Sequence, residues 1–341
     1  MYRLFVMMAV LTLLSGCAER EPRAGENHLT VDVLLKTTPV KDQGRSALCW
    51  VYAMLATIET EHLMRGDSVN LSVSYAARMA LTDRARTYYL TRAARPLSQR
   101  GMASELLHTI HTHGLLAYDT YSVPQADVFN VLGRRMQNVC RLAIAQREGL
   151  SWLNARLDDL ADRSLGFLPR TQFMLGAAYT PQEFARSVCR RDEYQALTSF
   201  SHHPFYKRFA LEVPDNYRQD TFLNLPIDSL TNLVERSLRS GHPVCWEGDA
   251  SEPGFLFHRG RAVIENRDAA VTQQWRQEEF EKFRTTDDHC MAIVGLAHDD
   301  SGQKFFVCKN SWGSNNPYQG LMFLSFAYFK LKTIAVWAIH H

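Results

Sequence analysis

The segment of residues 42–62 limits the fold of this chain more than any other. A polar turn with Gly44 and Ser46 leads into Cys49, and the residues that follow are apolar on nearly every side until Thr57. A stretch that is apolar all round is typical of a helix buried in a core. The pattern therefore predicts a buried helix that begins near Cys49, with Ser46 as a candidate N-cap.

A cysteine at the start of a helix has a distinct chemistry. It lies at the positive end of the helix dipole, which favours the thiolate over the thiol. Gln43, six residues earlier, can direct its amide to the same point, where it would form an oxyanion hole with the Cys49 N–H. Cys49 is therefore a candidate nucleophile, with a structural thiol as the alternative. The far end of the helix, at Glu59, Glu61 and His62, is predicted to be solvated.

The last third of the sequence supplies the partners that a cysteine nucleophile needs. His289 opens an apolar strand, and a second strand-like run, residues 304–309, ends in Asn310-Ser311-Trp312-Gly313. A Cys, then a His, then an Asn followed by Ser-Trp-Gly is the order found in papain-like cysteine peptidases. With Gln43 and Cys49-Trp50 in place as well, the chain resembles that family. The segment from Gly241 to Phe255 resembles its bleomycin hydrolase and aminopeptidase C branch most of all.

The resemblance implies an α+β fold of two lobes, with a helical left lobe and an antiparallel, barrel-like right lobe. It implies a cysteine peptidase that hydrolyses peptides or unfolded proteins through a thioester, with Cys49, His289 and Asn310 as catalytic residues and Gln43 in the oxyanion hole. In the same way, it suggests that the backbone of Gly101 pairs with an extended substrate. Trp312 is expected to cover the His–Asn hydrogen bond and to belong to the substrate-binding residues. Trp246 is expected to line the cleft, with a place in the core as the alternative.

Two spacings depart from the classical enzymes. Cys49 and His289 are 240 residues apart, against about 130–150 in papain-like enzymes, so a mainly helical insertion is predicted at about residues 125–225, loop-like from His202 to Pro226. Asn310 lies 31 residues before the end of the sequence, which suggests that the C-terminal arm of the aminopeptidase branch is absent. Aminopeptidase and endopeptidase activity therefore both stay open, as does the oligomeric state.

Three residues around the candidate site differ from the usual pattern. Ala47 stands where relatives have glycine, Leu48 places an apolar side chain next to the nucleophile, and Cys290 follows the histidine where a small residue is usual. These departures motivate the alternative hypothesis of a weak or inactive papain-fold lipoprotein that binds peptides or a protein partner. The complete set of Gln43, Cys49, His289 and Asn310 favours the enzyme.

The first residues look like a targeting signal. Arg3 precedes an apolar run at residues 4–14, which is too short to span a bilayer and has the length of a signal-peptide core. The following Leu-Ser-Gly-Cys resembles a bacterial lipobox that ends at Cys17, with a plain secretory signal as the alternative. We therefore expect a signal peptide at 1–16, a lipidated tether at 17–36, a peptidase domain at 37–341, and a lipid anchor in the bacterial cell envelope, at the outer membrane.

The remaining composition argues against other classes of function. With 38 basic and 36 acidic residues the net charge is +2, which gives no nucleic-acid footprint. No paired C-x-x-C spacing indicates a zinc site, and most cysteines are expected to be buried thiols. A metal at His108, His111 and His113 is a weaker alternative, and His202-His203 is expected to be a turn with packed rings. No metal and no cofactor are predicted, because the proposed chemistry needs neither.

Overall fold

The computed structural model of this protein describes residues 28–123, 127–174, 176–264 and 270–340. The predicted signal peptide at 1–16, the lipidation site Cys17 and the first part of the predicted tether lie outside these residues. Along the described ranges, no helix is both long enough and apolar enough to cross a membrane.

The chain enters the fold through a strand, β1 Leu29–Leu34. This strand pairs antiparallel with the strand His289–Asp299, with Leu29 opposite Asp299 and Leu34 opposite Gly295. The prediction of a tether up to residue 36 was therefore wrong for these six residues. Their alternation of apolar and polar side chains is the period-two pattern of a strand, and their backbone groups find partners at the sheet.

The helices of the first half pack around one core and form the predicted helical lobe. They are α1 Cys49–Arg65, α2 Val73–Leu90, α3 Ala103–His113, α4 Val128–Gln146, α5 Leu150–Leu165 and α6 Pro181–Val188, with a small hairpin of β2 Gln172–Met174 and β3 Ala177–Tyr179 before α6. Their apolar faces meet in a cluster that includes Trp50, Leu106, Leu132 and Leu157. The regular spacing of such residues in each helix explains why these segments are helical.

The first helix is buried nearly throughout, as the sequence predicts. Its N-cap is Leu48, and no side chain caps it. Ser46 lies too early for this role, and its Oγ donates to the Gln43 carbonyl at 2.7 Å instead. The predicted N-cap was therefore wrong, because this hydroxyl closes the preceding turn.

The far end of α1 is buried, which contradicts the predicted solvation of Glu59, Glu61 and His62. Glu59 accepts hydrogen bonds from the Lys41 ammonium and from the Leu71 N–H, each at 2.7 Å. A carboxylate can be buried where such partners replace water. The partners come from other parts of the chain, so the local pattern gave no sign of them.

The second lobe is built on one large sheet. After β1, its strands are β4 Tyr194–Thr198, β5 Arg208–Ala210, β6 Thr221–Asn224, β7 Val244–Gly248, β8 Phe255–Leu256, β9 Arg261–Ala262, β10 His289–Asp299, β11 Lys304–Lys309, β12 Leu321–Ser325 and β13 Thr333–Ile339. Their order is β5-β6-β4-β13-β7-β10-β11-β12-β9-β8, with β1 on β10. Neighbours are antiparallel, as predicted, except for the parallel pairs β4–β6 and β9–β12. Three helices accompany the sheet: α7 Ile227–Arg239, α8 Gln273–Glu281 and α9 Phe326–Lys332.

The segment predicted as an insertion, residues 125–225, contributes to both lobes. Its first part contains the helices α4 and α5, in agreement with the predicted helical content. The part from His202 to Pro226 was predicted to be loop-like but contains β5 and β6, which extend the large sheet through β4. These strands are only three and four residues long, too short for a clear periodic signal.

The two lobes meet where α1 packs across the sheet. This helix contacts both β7 and β10. β10 pairs with β7 along its first half and with β1 along its second half, and almost all of it is buried. This placement brings Cys49, the first residue of α1, next to His289, the first residue of β10.

Candidate active site

Cys49 lies at the junction of the two lobes. The residue is only 9% exposed and follows a fully buried Leu48. The next side chain, Trp50, donates its indole N–H to the Gln99 carbonyl at 2.8 Å, which fixes the start of α1 to the segment before α3. The thiol is therefore held on a rigid helix at the lobe boundary.

His289 is oriented by Asn310. β10 and β11 are antiparallel neighbours, so the residue that opens β10 lies beside the residue that follows β11. The distance from His289 Nε2 to Asn310 Oδ1 is 2.8 Å, and the same oxygen accepts the Ser311 N–H at 2.7 Å. Because Oδ1 is an acceptor, Nε2 carries a proton, which leaves Nδ1 to face Cys49.

Trp312 covers this pair, as the sequence predicts. Its ring centroid lies 4.5 Å from that of His289, with 35° between the ring planes. Phe255 packs edge-on against both rings. His289 and Asn310 are 3% and 2% exposed, so their hydrogen bond is kept away from water, where it is worth more.

Gln43 is held from both lobes. Its Nε2 donates to the Ser46 carbonyl at 2.7 Å, and its Oε1 accepts from the Ser311 hydroxyl at 2.6 Å. These two bonds fix the plane of the amide. One of the two N–H groups of Nε2 is used by Ser46, which leaves the second for an oxyanion beside Cys49.

The thiol of Cys49 is poised as a thiolate. A hydrogen bond from the Cys290 side chain is the strongest influence that holds the pKa of Cys49 well below its ordinary value. Burial opposes this effect, and the hydrogen bond and charge of His289 reinforce it. By contrast, burial alone raises the pKa of Cys140 to about 11. Among the cysteines in the described ranges, all of which are free and buried, Cys49 has the environment of a reactive thiol.

The role of Cys290 was missed by the sequence analysis, which treated this residue as a departure that weakens the site. Its thiol instead donates to Cys49 and stabilises the charged form of the nucleophile. The contact depends on the position of β10 beneath α1, for which the sequence carries no signal.

The two other predicted substrate-binding residues differ in their surroundings. Trp246 is fully buried in the core of the sheet lobe, and its Nε1 donates to Thr333 Oγ1 at 2.8 Å. The prediction that it lines the cleft was therefore wrong, and the alternative of a core residue holds. Gly101 is also buried, and a Cβ at this position would lie 2.6 Å from Arg84 Nη2, so a larger residue would require the Arg84 guanidinium to shift. Pairing of its backbone with substrate stays a prediction.

One group of side chains has the composition of a metal site. His202, His203 and Glu212 place one ligand atom each within 4.8 Å of one another. The two rings are packed, with centroids 4.6 Å apart, as expected for the predicted turn. Gln277 Nε2 lies 2.9 Å from His202 Nδ1 while its Oε1 accepts the Ser201 N–H. Nδ1 of His202 therefore accepts a hydrogen bond, and the ring proton is on Nε2. A metal bound by this group would need Nε2 without its proton. In the other candidate set, His113 Nε2 is bonded to Asp83 at 2.6 Å.

Comparisons with known proteins find a related family and a similar fold. Residues 171–336 match the model of the Peptidase C1-like family. The chain is 22% identical to Aminopeptidase W of Lactobacillus delbrueckii subsp. lactis over 90% of its own length and 82% of that protein. The crystal structure of PepW from Lactobacillus rhamnosis HN001 has a similar fold, with a TM-score of 0.71 and 18% identity over 91% of this chain and 81% of that one. The fold is therefore papain-like, and the family match and the relative support a cysteine-type peptidase enzyme.

Proposed function

We propose that the chain is an aminopeptidase that hydrolyses peptides through a Cys49–His289–Asn310 triad. The observation that carries the triad is the hydrogen bond of 2.8 Å by which Asn310 holds Nε2 of His289, an imidazole that lowers the pKa of the Cys49 thiol. Aminopeptidase specificity is supported by the similarity to Aminopeptidase W.

Each residue has a role in the proposed mechanism. The Cys49 thiolate attacks the carbonyl of the first peptide bond, while the Cys49 N–H and Gln43 Nε2 hold the oxyanion. His289 then gives its Nδ1 proton to the leaving amine, and the acyl group stays on sulfur as a thioester. Water, deprotonated by His289, hydrolyses the thioester and restores the thiolate.

Peptide products test this function directly. The purified full-length protein, under reducing conditions, is incubated with matched peptides whose N-termini are free or acetylated, and the products are identified by mass spectrometry. We expect removal of residues one by one from the free-amine peptides only. Internal cleavage of both sets would show an endopeptidase instead.

We also propose that lipid at Cys17 holds the enzyme at the bacterial cell envelope. This proposal rests on the sequence pattern of residues 1–17. A Cys17→Ser chain is expected to lose its lipid and to move from the membrane fraction to the soluble fraction. Membrane association that is unchanged in Cys17→Ser would contradict the proposal.

A further inference from the structure

A buried carboxyl group next to the nucleophile has no strong hydrogen-bond partner. Glu247 is 1% exposed, and no nitrogen or oxygen group among the described residues is bonded to either of its oxygens; the neighbouring Cys290 thiol is a weak donor that Glu247 shares with Cys49. Buried polar groups are nearly always satisfied, because an unpaired one carries the full cost of losing its water. The triad mechanism makes no use of this side chain, so its presence requires another explanation.

The strand register places Glu247 beside the reacting atoms. It lies in β7 directly opposite Cys290 of β10, and opposite Ala335 of β13 on the other side. Residues directly opposite each other in antiparallel strands point to the same face of the sheet. Because Cys290 and Ala335 belong to the same buried cluster as Cys49, this face of the sheet is the one next to the nucleophile.

Two further carboxyl groups, of Asp287 and Asp215, lie close enough to Glu247 for their charges to raise its pKa. Asp287, two residues before His289, accepts the Asp215 N–H on Oδ2 at 2.9 Å. Asp215 is held by Arg100 Nε at 3.0 and 3.1 Å, and Arg100 Nη2 donates to the Asp287 carbonyl at 2.8 Å. This arrangement gives three carboxyl groups and one guanidinium, so a cation that enters the cluster finds more carboxyl groups than positive partners.

The raised pKa values of these carboxyl groups fit a place where a cation would be stabilised. Burial is the main cause that raises the pKa of Glu247 well above its ordinary value, and the charges of Asp287, Asp215 and Cys49 raise it further. Burial also raises the pKa of Asp215 to about 6. A cation placed among these groups would favour their charged forms and remove the cost of burial.

The substrate of an aminopeptidase carries such a cation, the α-ammonium group at its N-terminus. Its α-nitrogen is only two bonds, or about 2.5 Å, from the carbonyl carbon that is attacked. A group that recognises the α-ammonium must therefore lie next to the nucleophile. Glu247 meets this condition through its register with Cys290.

We propose that Glu247, flanked by Asp287 and Asp215, binds the α-ammonium group of the peptide substrate and so selects free N-termini. This inference rests on the proposed aminopeptidase function and names the residue that confers it.

The test compares two substrates that differ in the amine alone. Alanyl-amidomethylcoumarin and its N-acetyl derivative are assayed with the full-length wild type, Glu247→Gln and Glu247→Asp. We expect wild type to prefer the free amine, which gives a high ratio of kcat/KM for the free-amine substrate to kcat/KM for the acetylated one. Glu247→Gln should lower this ratio by roughly 10- to 100-fold, because a hydrogen bond to a charged group is lost. Glu247→Asp, which keeps the charge, should restore part of this ratio.

Matched controls separate specificity from folding. Glu235→Gln removes a carboxylate of α7 that pairs with Arg239 and Lys304 and should leave the ratio unchanged. Asp215→Asn, at the edge of the cluster, should lower the ratio less than Glu247→Gln does. Because the ratio is measured within one protein sample, a partly unfolded variant cannot imitate the effect.

The outcomes distinguish the inference from the proposed function. A wild type that cleaves both substrates equally well would contradict aminopeptidase specificity, and with it the role of Glu247. A wild type that prefers the free amine, together with a Glu247→Gln variant of the same preference, would overturn the role of Glu247 alone. A third outcome concerns N-acetylated substrates that contain two adjacent basic residues. If Glu247→Gln lost cleavage of these substrates while its free-amine ratio stayed unchanged, Glu247 would bind a basic side chain of the substrate, and the inference would also be overturned.

Discussion

Replacement of Cys49 by alanine is expected to lower kcat/KM for peptide hydrolysis by roughly 10⁴-fold or more. Loss of the nucleophile of a catalytic triad removes the covalent route entirely, and what remains comes from substrate binding and oxyanion stabilisation. The thiol is the group that the Cys290 and His289 hydrogen bonds hold as a thiolate. The measurement is the initial rate of aminoacyl-amidomethylcoumarin hydrolysis by the purified variant and by wild type.

Cys189→Ala is the matched control for this loss. Cys189 is also buried, at 3% exposure, but burial raises the pKa of this thiol to about 12. It lies at the end of α6, so its removal should leave kcat/KM within about threefold of wild type. If Cys49→Ala kept more than a hundredth of wild-type activity, Cys49 would not be the nucleophile.

The parts of the site that could be predicted from the sequence are those marked by the ends of regular elements. Cys49 opens a buried helix, His289 opens a buried strand, and Asn310 follows the next strand. Each lies at a change in the hydrophobic pattern, where local sequence is most informative. The family resemblance then supplied the order in which these ends meet.

The parts that could not be predicted depend on strand register. The sequence analysis selected Trp246 for the cleft, whereas Trp246 is in the core and its neighbour Glu247 lies opposite Cys290. Side chains alternate across a strand, so a shift of one residue exchanges the two faces. Every residue of β7 is buried. Because both faces of the strand are covered, its sequence lacks the alternation of apolar and polar residues that would have indicated which side chains share a face.

Long-range partners explain the other errors. The burial of Glu59 depends on Lys41 and on the backbone of Leu71, and the strand Leu29–Leu34 depends on β10, which is more than 250 residues away in the sequence. A local pattern reports on the propensity of a segment and not on the partner that will satisfy it. In this chain such partners decide which polar groups are buried around the site.

Replacement of His289 by alanine is expected to change the reactivity of Cys49 as well as the catalytic rate. His289 lowers the pKa of the thiol through a hydrogen bond and through its charge, so its loss raises that pKa. At pH 6 the thiolate fraction should then fall, and the rate of iodoacetamide labelling of Cys49 should fall by at least about tenfold, because only the thiolate reacts. As the pH rises toward the ordinary value of a thiol, the labelling rates of the variant and of wild type should converge. Hydrolysis should fall by roughly 10³-fold or more at every pH, because the proton donor to the leaving amine is gone.

The pH dependence separates this role from a structural one. His113→Ala removes an imidazole that pairs with Asp83 in the helical lobe and should leave both the labelling profile and kcat/KM close to wild type. Since Cys290 still donates to Cys49 in His289→Ala, the thiol should stay more acidic than the buried Cys189, and the double variant His289→Ala/Cys290→Ala should shift the profile to still higher pH. A labelling profile in His289→Ala that matched wild type would mean that Cys290 and not the imidazole sustains the thiolate, and that His289 acts in proton transfer alone.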